Sequence, residues 1–322
     1  MSRPNALARG RLALLASLPL VLAVARPAAP PQRTAPPDAP AFPRELVDWV
    51  PYEKNPLFAG TGRDTWDREI RERGFILRVA DTWRLWYTGY DSRKSETKSL
   101  GYATSPDGLV WTRHPRNPLF DGVWTEDVFV VKHGGVYQMF AEGVNDIAHR
   151  LTSPDGVRWK EEGRLDVRKK SGEPIAGGAY GTPTVWIENG TLYLFYERED
   201  KGIWLATSKD MGVWTNVQDE PVIALGPDAY DRSAVALNQV VRYKDHYYGV
   251  YHANGDPEWK GPWTTCLAAS DDLVRWTKYP GNPVIRSDDS SGILVDDGER
   301  LRLYTMHPAV KLWLPRGTPA LR

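Results

Sequence analysis

The stretch SPDGLVWT at 105–112 decides the fold, because the chain returns to it as SPDGVRWK at 153–160, SKDMGVWT at 208–215 and SDDLVRWT at 270–277. The copies start 48, 55 and 62 residues apart, the spacing of a supersecondary unit that stacks on its neighbours. Just upstream lies an alternating pattern, in LGYAT before Ser105, IWLAT before Ser208 and CLAAS ending at Ser270. Upstream again is an aromatic strand: WRLWYTG (83–89), YQMFAEG (137–143), LYLFYER (192–198), YYGVYHA (247–253) and LRLYTMH (301–307). A short strand ending in NPLF (117–120), EPVI (220–223) or NPVI (282–285) follows the Trp. NPLF also stands at 55–58 with no repeat before it, and the last repeat stops after KLWLP (311–315) without its fourth strand.

These pieces fit if the N-terminal strand supplies the strand the last repeat lacks. The expectation is an all-β, five-bladed β-propeller closed by an N-terminal strand that completes the last blade. A β-sandwich gives no reason for so long a period, and a linear solenoid has no need for its first strand to resemble a missing last one. In the repeated turn, Asp bonds the backbone, Gly accepts a left-handed φ, and the Trp packs between neighbouring sheets. These four copies belong to the scaffold.

Composition narrows the function. Basic and acidic side chains balance at 41 each, so the basic excess of a phosphate-backbone binder is missing and no nucleic-acid partner is expected. Cys266 stands alone, which excludes disulfide scaffolds and thiolate metal modules. Hydrophobic content of 41% and charged content of 25% describe a chain that folds around a core.

Arg3, Arg9 and Arg11, the apolar run 12–25 and the Ala23, Val24, Ala25 pattern read as a signal peptide over 1–25. The run is short for a membrane span, which takes about 20 residues. A proline-rich spacer over 26–43 precedes a propeller domain over 44–322. The expectation is therefore a secreted or periplasmic protein with no membrane partner once the leader is cleaved.

Inner strands of a propeller converge on a central channel. Thr88, Glu142, Glu197, His252 and Met306 occupy equivalent positions in the aromatic strands, and Arg73, Asp127, Thr182, Leu237 and Ser291 in the innermost ones. Scaffold positions repeat their residue type, and these do not, which marks a site grafted on a symmetric frame. The blade-opening loops TWDRE (65–69), VWTED (123–127) and AYDRS (229–233) add Asp67, Glu69, Glu126, Asp231 and Arg232 beside Trp66, Trp124 and Tyr230, with Tyr180 opening blade three. Carboxylates with aromatic rings at the mouth suit a carbohydrate substrate, whose ring faces stack and whose hydroxyls pair with polar groups.

The YTGY and GYATSPDGxxW repeat with its NPxx strand ends resembles the five-bladed glycosidases of glycoside hydrolase families 43, 62, 32, 68, 117 and 130, over roughly residues 46–315. The resemblance implies an Asp in blade one as base or nucleophile, an Asp in blade two that orients it, and a Glu in blade three, often before x-Pro, as general acid. Asp127 matches the blade-two residue. Blade one aligns Arg73 instead, with Asp67 or Glu69 nearby to substitute, and blade three has GTP at 181–183, with Glu197 and Glu142 as the nearest acids. SKDMGVW also resembles the sialidase turn box, but it is one residue short and the blade count is five.

The expected catalytic set is Asp127, Glu197, Glu142 and Asp67, with Glu197 as acid. The expected substrate contacts are Arg73, Asp231, Arg232, His252, Trp66, Trp124 and Tyr180. No cofactor or metal is required. The alternatives are a non-catalytic carbohydrate-binding propeller and a glycoside phosphorylase.

Overall fold

The structure is a computed structural model that describes residues 42–95, 97–120 and 123–319; the leader and the spacer up to residue 41 lie outside the described residues. Apart from a four-residue helix at Arg44–Val47, its regular structure is β. No described helix is long and apolar enough to cross a membrane.

Five sheets follow one another along the chain, each running outward from its first strand, and all their pairings are antiparallel except that of Asp166–Arg168 with Val213–Asn216. Blade one is Glu69–Val79, Thr82–Tyr90, Ser99–Ser105 and Thr112–Arg113. Blade two is Glu126–His133, Val136–Gly143, Ile147–Ser153 and Lys160–Arg164. Blade three is Gly181–Glu188, Thr191–Glu197, Gly202–Ser208 and Val213–Asn216, extended by Asp166–Arg168 and Ile223–Ala224. Blade four is Ala234–Tyr243, His246–Asn254, Thr264–Ser270 and Trp276–Lys278. Blade five is Ile293–Asp296, Leu301–Thr305 and Lys311–Pro315, with Trp49–Pro51 as its outermost strand.

The Asn of the repeated NP pair has a part that its position alone does not reveal. In blade one the Asn117 side chain accepts from Tyr102 N–H (3.0 Å) and donates to Tyr102 O (2.9 Å), replacing a strand residue. Asn282 does the same with Leu267 in blade four, both bonds 2.9 Å. Asn55, from the far end of the chain, makes the same pair of bonds to Leu312 of blade five at 2.8 Å each. The N-terminal NPLF thus sits on blade five as its counterparts sit on blades one and four.

The turn motif also works alike in all four copies. Asp107 Oδ1 accepts from Leu109 and Val110 N–H, and Ser105 Oγ accepts from Gly108 N–H at 2.9 Å. The turn Trp packs against the preceding blade: Trp159 on Trp86, Trp214 on Phe140 and Trp276 on Phe195, with ring centroids 6.3, 5.9 and 5.9 Å apart. Such edge-on pairs stabilise beyond the area they bury, and they glue sheets together where Cys266, buried and free, cannot form a bridge. Phe42, within the stretch read as spacer, packs against Tyr248 and Tyr279 of blade four.

Candidate active site

A cavity of about 500 Å³ opens where the inner strands meet. Several of its lining residues have left-handed backbone. Glu72, Asp127, Thr182 and Ser291, in blades one, two, three and five, have φ of 64°, 46°, 43° and 57°. Left-handed backbone at non-glycine residues is disfavoured, and bulges that re-aim side chains cluster at functional sites. The pairing register shifts between Glu126 and Phe129 in blade two and between Gly181 and Thr184 in blade three.

Blade one carries one more residue in its bulge, between Arg71 and Phe75. Glu72 therefore takes the place of Asp127, and the alignment of Arg73 with Asp127 is corrected by one residue. A bulge insertion leaves no mark on the alternation of a strand, so counting along the repeat missed it. Arg73 itself is 0% exposed and lies outside the cavity lining. Its guanidinium donates to Thr184 Oγ1 (2.7 Å), Pro183 O (2.8 Å), Leu237 O (2.9 Å) and Asp127 O, tying blade one to blades two, three and four. Burial lowers its pKa to about 10, so it remains a cation. It is a hub of the fold rather than a substrate contact.

Above this hub the carboxyl groups gather. Asp127 Oδ1 accepts the Arg73 backbone N–H at 2.7 Å. Glu142 and Glu197 reach in from the second strands of blades two and three, where successive backbone donors receive them: Thr182 N–H to Glu142 Oε2 (2.8 Å) and Gly181 N–H to Glu197 Oε1 (2.7 Å). Burial, then the charge of Asp127, pushes Glu142 well above the usual carboxylate range. Burial and Asp200 push Glu197 to about 8. Glu126 is also raised to about 8, by burial and Glu72, although Lys98 bridges the two at 3.2 and 3.3 Å. Asp200 rises to about 7, chiefly through burial.

On the other wall His252 Nδ1 lies 2.8 Å from Asn238 Oδ1 and His307 Nδ1 lies 3.3 Å from Ser290 Oγ. Burial lowers both to about 4, so both imidazoles are neutral near pH 7. Indoles stand at the edge: Trp124, whose Nε1 donates to Glu126, and Trp259 with Trp263 across the opening. Glu126, Glu142 and Asp146 present oxygens within 4.8 Å of one another, the one grouping among the described residues spaced to hold a cation.

Asp127, Glu142, Glu197, His252 and Trp124 thus share one cavity. The other expected residues do not line it. Asp67 is buried against Arg113 (2.7 Å) and Tyr87, and Asp231 against Lys278 (2.5 Å). Each pairs with a cation of its own blade's fourth strand, a contact repeated between blades and so part of the frame. Trp66 stacks on Tyr87 over a separate hollow. Arg232 donates to Gly255 O on the periphery of blade four, and the Tyr180 hydroxyl donates to Leu165 O.

Sequence reasoning missed Glu72, Lys98, Asp146, Asp200, Trp259 and Trp263 as site residues. The two indoles had left a signal, since the longest spacing between repeats contains the extended loop 255–263.

No family model and no curated protein matches the chain. Solved structures do. A glycosyl hydrolase from Bacteroides ovatus superposes with a TM-score of 0.70 at 15% identity, over 88% of this chain and 98% of that one. The β-1,2-mannobiose phosphorylase from Listeria innocua gives 0.64 at 13%, over 83% and 95%. The catalytic domain of a family 62 α-L-arabinofuranosidase from Coprinopsis cinerea gives 0.64 at 13%, over 87% and 100%. The chain has the five-bladed propeller fold of these carbohydrate-active proteins.

Proposed function

We propose that the protein is a secreted glycoside hydrolase that cleaves an oligosaccharide or polysaccharide in the central cavity. The observation that carries the reading is that two carboxyl groups, Glu197 and Asp127, line one cavity, with Glu197 buried so that its pKa is pushed up to about 8. Glycosidic cleavage needs such a division: one carboxylic acid protonates the leaving oxygen, and one carboxylate takes the proton of the attacking water. Glu197 is the acid and Asp127 the base. Asp200 adds to burial in raising the pKa of Glu197, and His252 offers a neutral imidazole to a sugar hydroxyl.

Charge favours water over phosphate as acceptor. The lining cations are Arg71 and Lys98, and both are already paired with Glu72, at 3.5 and 3.3 Å. A phosphate dianion would meet acidic side chains there and, among the described lining residues, no Arg or Lys that is not already held by a carboxyl group. The leader at 1–25 supports export.

The test is a panel of aryl glycosides and oligosaccharides given to wild type, Glu197→Gln and Asp127→Asn, with and without inorganic phosphate. Wild type is expected to turn over without phosphate and to lose activity as pH rises through about 8. Each variant is expected to fall roughly 10²- to 10⁴-fold in kcat. Turnover that requires phosphate would make the protein a phosphorylase, and binding without turnover would make it a carbohydrate-binding propeller.

A further inference from the structure

We propose that the loop 254–263 of blade four forms a rim subsite, with Trp259 as its platform, that takes the second sugar ring of an oligosaccharide whose first ring lies among the carboxyl groups. The proposal rests on the glycosidase reading and extends it to the length of the substrate. Trp259 is 51% exposed, and it is the one aromatic among the large apolar side chains exposed in the described residues; the others are Val110, Val144 and Val213. An indole left half in water forfeits burial that a chain of this fold could have used.

The loop is built to hold it there. Asn254, 0% exposed, accepts Asp256 N–H at 2.7 Å and donates to Gly261 O at 3.1 Å, splinting both ends of the loop. Asp256 then receives Glu258 N–H at Oδ1 and Trp259 N–H at its carbonyl, at 2.9 and 3.0 Å. Trp259 sits at φ 56°, a conformation that bulky side chains seldom adopt and that these bonds impose. From the other arm, Trp263 N–H donates to Asp288 Oδ1 at 2.8 Å.

The platform is continuous with the cavity. Trp259 meets Trp263 edge-on at 6.2 Å, and Trp263 meets His252 edge-on at 5.3 Å. All three line the same opening. The Nδ1 atom of His252 is engaged by Asn238, which leaves Nε2 for a hydroxyl of the inner ring. A ring in the cavity would direct its glycosidic neighbour outward across the indoles, whose faces match the apolar C–H face of a pyranose or furanose.

The experiment is calorimetric titration of the mature protein, wild type, Trp259→Ala and Trp259→Phe, with manno-, xylo- and arabino-oligosaccharides of one to four units. In wild type, affinity is expected to rise from one unit to two. The ratio of disaccharide to monosaccharide affinity is expected to fall about three- to tenfold in Trp259→Ala and to recover largely in Trp259→Phe. Thermal melts check that each variant is folded. Wild type that gains nothing from the second unit, or a ratio untouched by Trp259→Ala, would overturn the rim subsite and leave the glycosidase reading standing. Wild type that binds none of the saccharides would overturn both.

Discussion

Gly181 shows how much of the site depends on one missing atom. A Cβ there would lie 2.0 Å from Glu142 Oε2 and 2.7 Å from Glu197 Oε1, so only glycine lets the two carboxyls converge on the backbone donors of residues 181 and 182. Gly181→Ala must push both away. Since displacements of about 1 Å can cost around 10² in rate, kcat should fall by at least that factor, while the thermal midpoint moves only slightly. Steady-state kinetics beside a melt decides it; a variant with wild-type kcat would show that this pair is not the acid machinery. Asp127, Glu142 and Glu197 were legible in the sequence because they interrupt a repeat, and a break in symmetry survives in one dimension. Glu72 was not, because an extra residue in a bulge shifts the register silently. Asp67 and Asp231 misled for another reason: their partners, Arg113 and Lys278, are 46 and 47 residues further on, and only the folded blade brings them near.

At the scale of the element, the turn that revealed the fold also explains its own exceptions. Gly108 and Gly156 have φ of 75° and 81°, and the two later copies put Met211 and Leu273 at the same place, both at 66°. Left-handed backbone costs an L-residue about 1–2 kcal/mol. Leu273, however, is 2% exposed, and burying such a side chain is worth about 1.5–3 kcal/mol, to which a glycine would add its own entropic loss of about 0.5–1 kcal/mol. Packing wins. Leu273→Gly is therefore expected to destabilise by about 1–2 kcal/mol in urea unfolding, although it relieves the backbone; a variant as stable as wild type would mean that strain matters more than the core beneath the turn. The Asp and Gly roles could be read from the motif, but that of the Ser could not. Its hydroxyl receives the N–H of the left-handed residue in every copy, at 2.8 to 3.0 Å, which makes the turn tolerate Met and Leu.

For the whole molecule, the cavity sets the pH dependence of stability. Propeller, blade count and the strand contributed by the N-terminus followed from the repeat, whereas the charge state of the centre follows from burial, which no periodicity reports. Glu126 and Glu197 near 8, Asp200 near 7, and Glu72 and Glu142 raised in the same direction all keep protons in the folded state that the unfolded chain releases above about pH 4.5. The folded state then binds more protons, and stability falls as pH rises between about 4.5 and 8. His252 and His307 act oppositely: lowered to about 4 by burial, they bind fewer protons folded than unfolded, so their contribution is lost as pH falls from 6.5 towards 4. Above pH 6.5 the opposing contribution of the histidines fades, and that of the carboxyls outweighs it. From pH 6.5 to 8 stability should therefore decline with a slope of at least about one proton, ~1.4 kcal/mol per pH unit, and Glu197→Gln should flatten it. Calorimetric melts of wild type and variant across that range read the slope directly. A midpoint that stays level or climbs from pH 6.5 to 8 would mean that the central carboxyls are ionised in the folded protein. Glu197 would then have no proton to give.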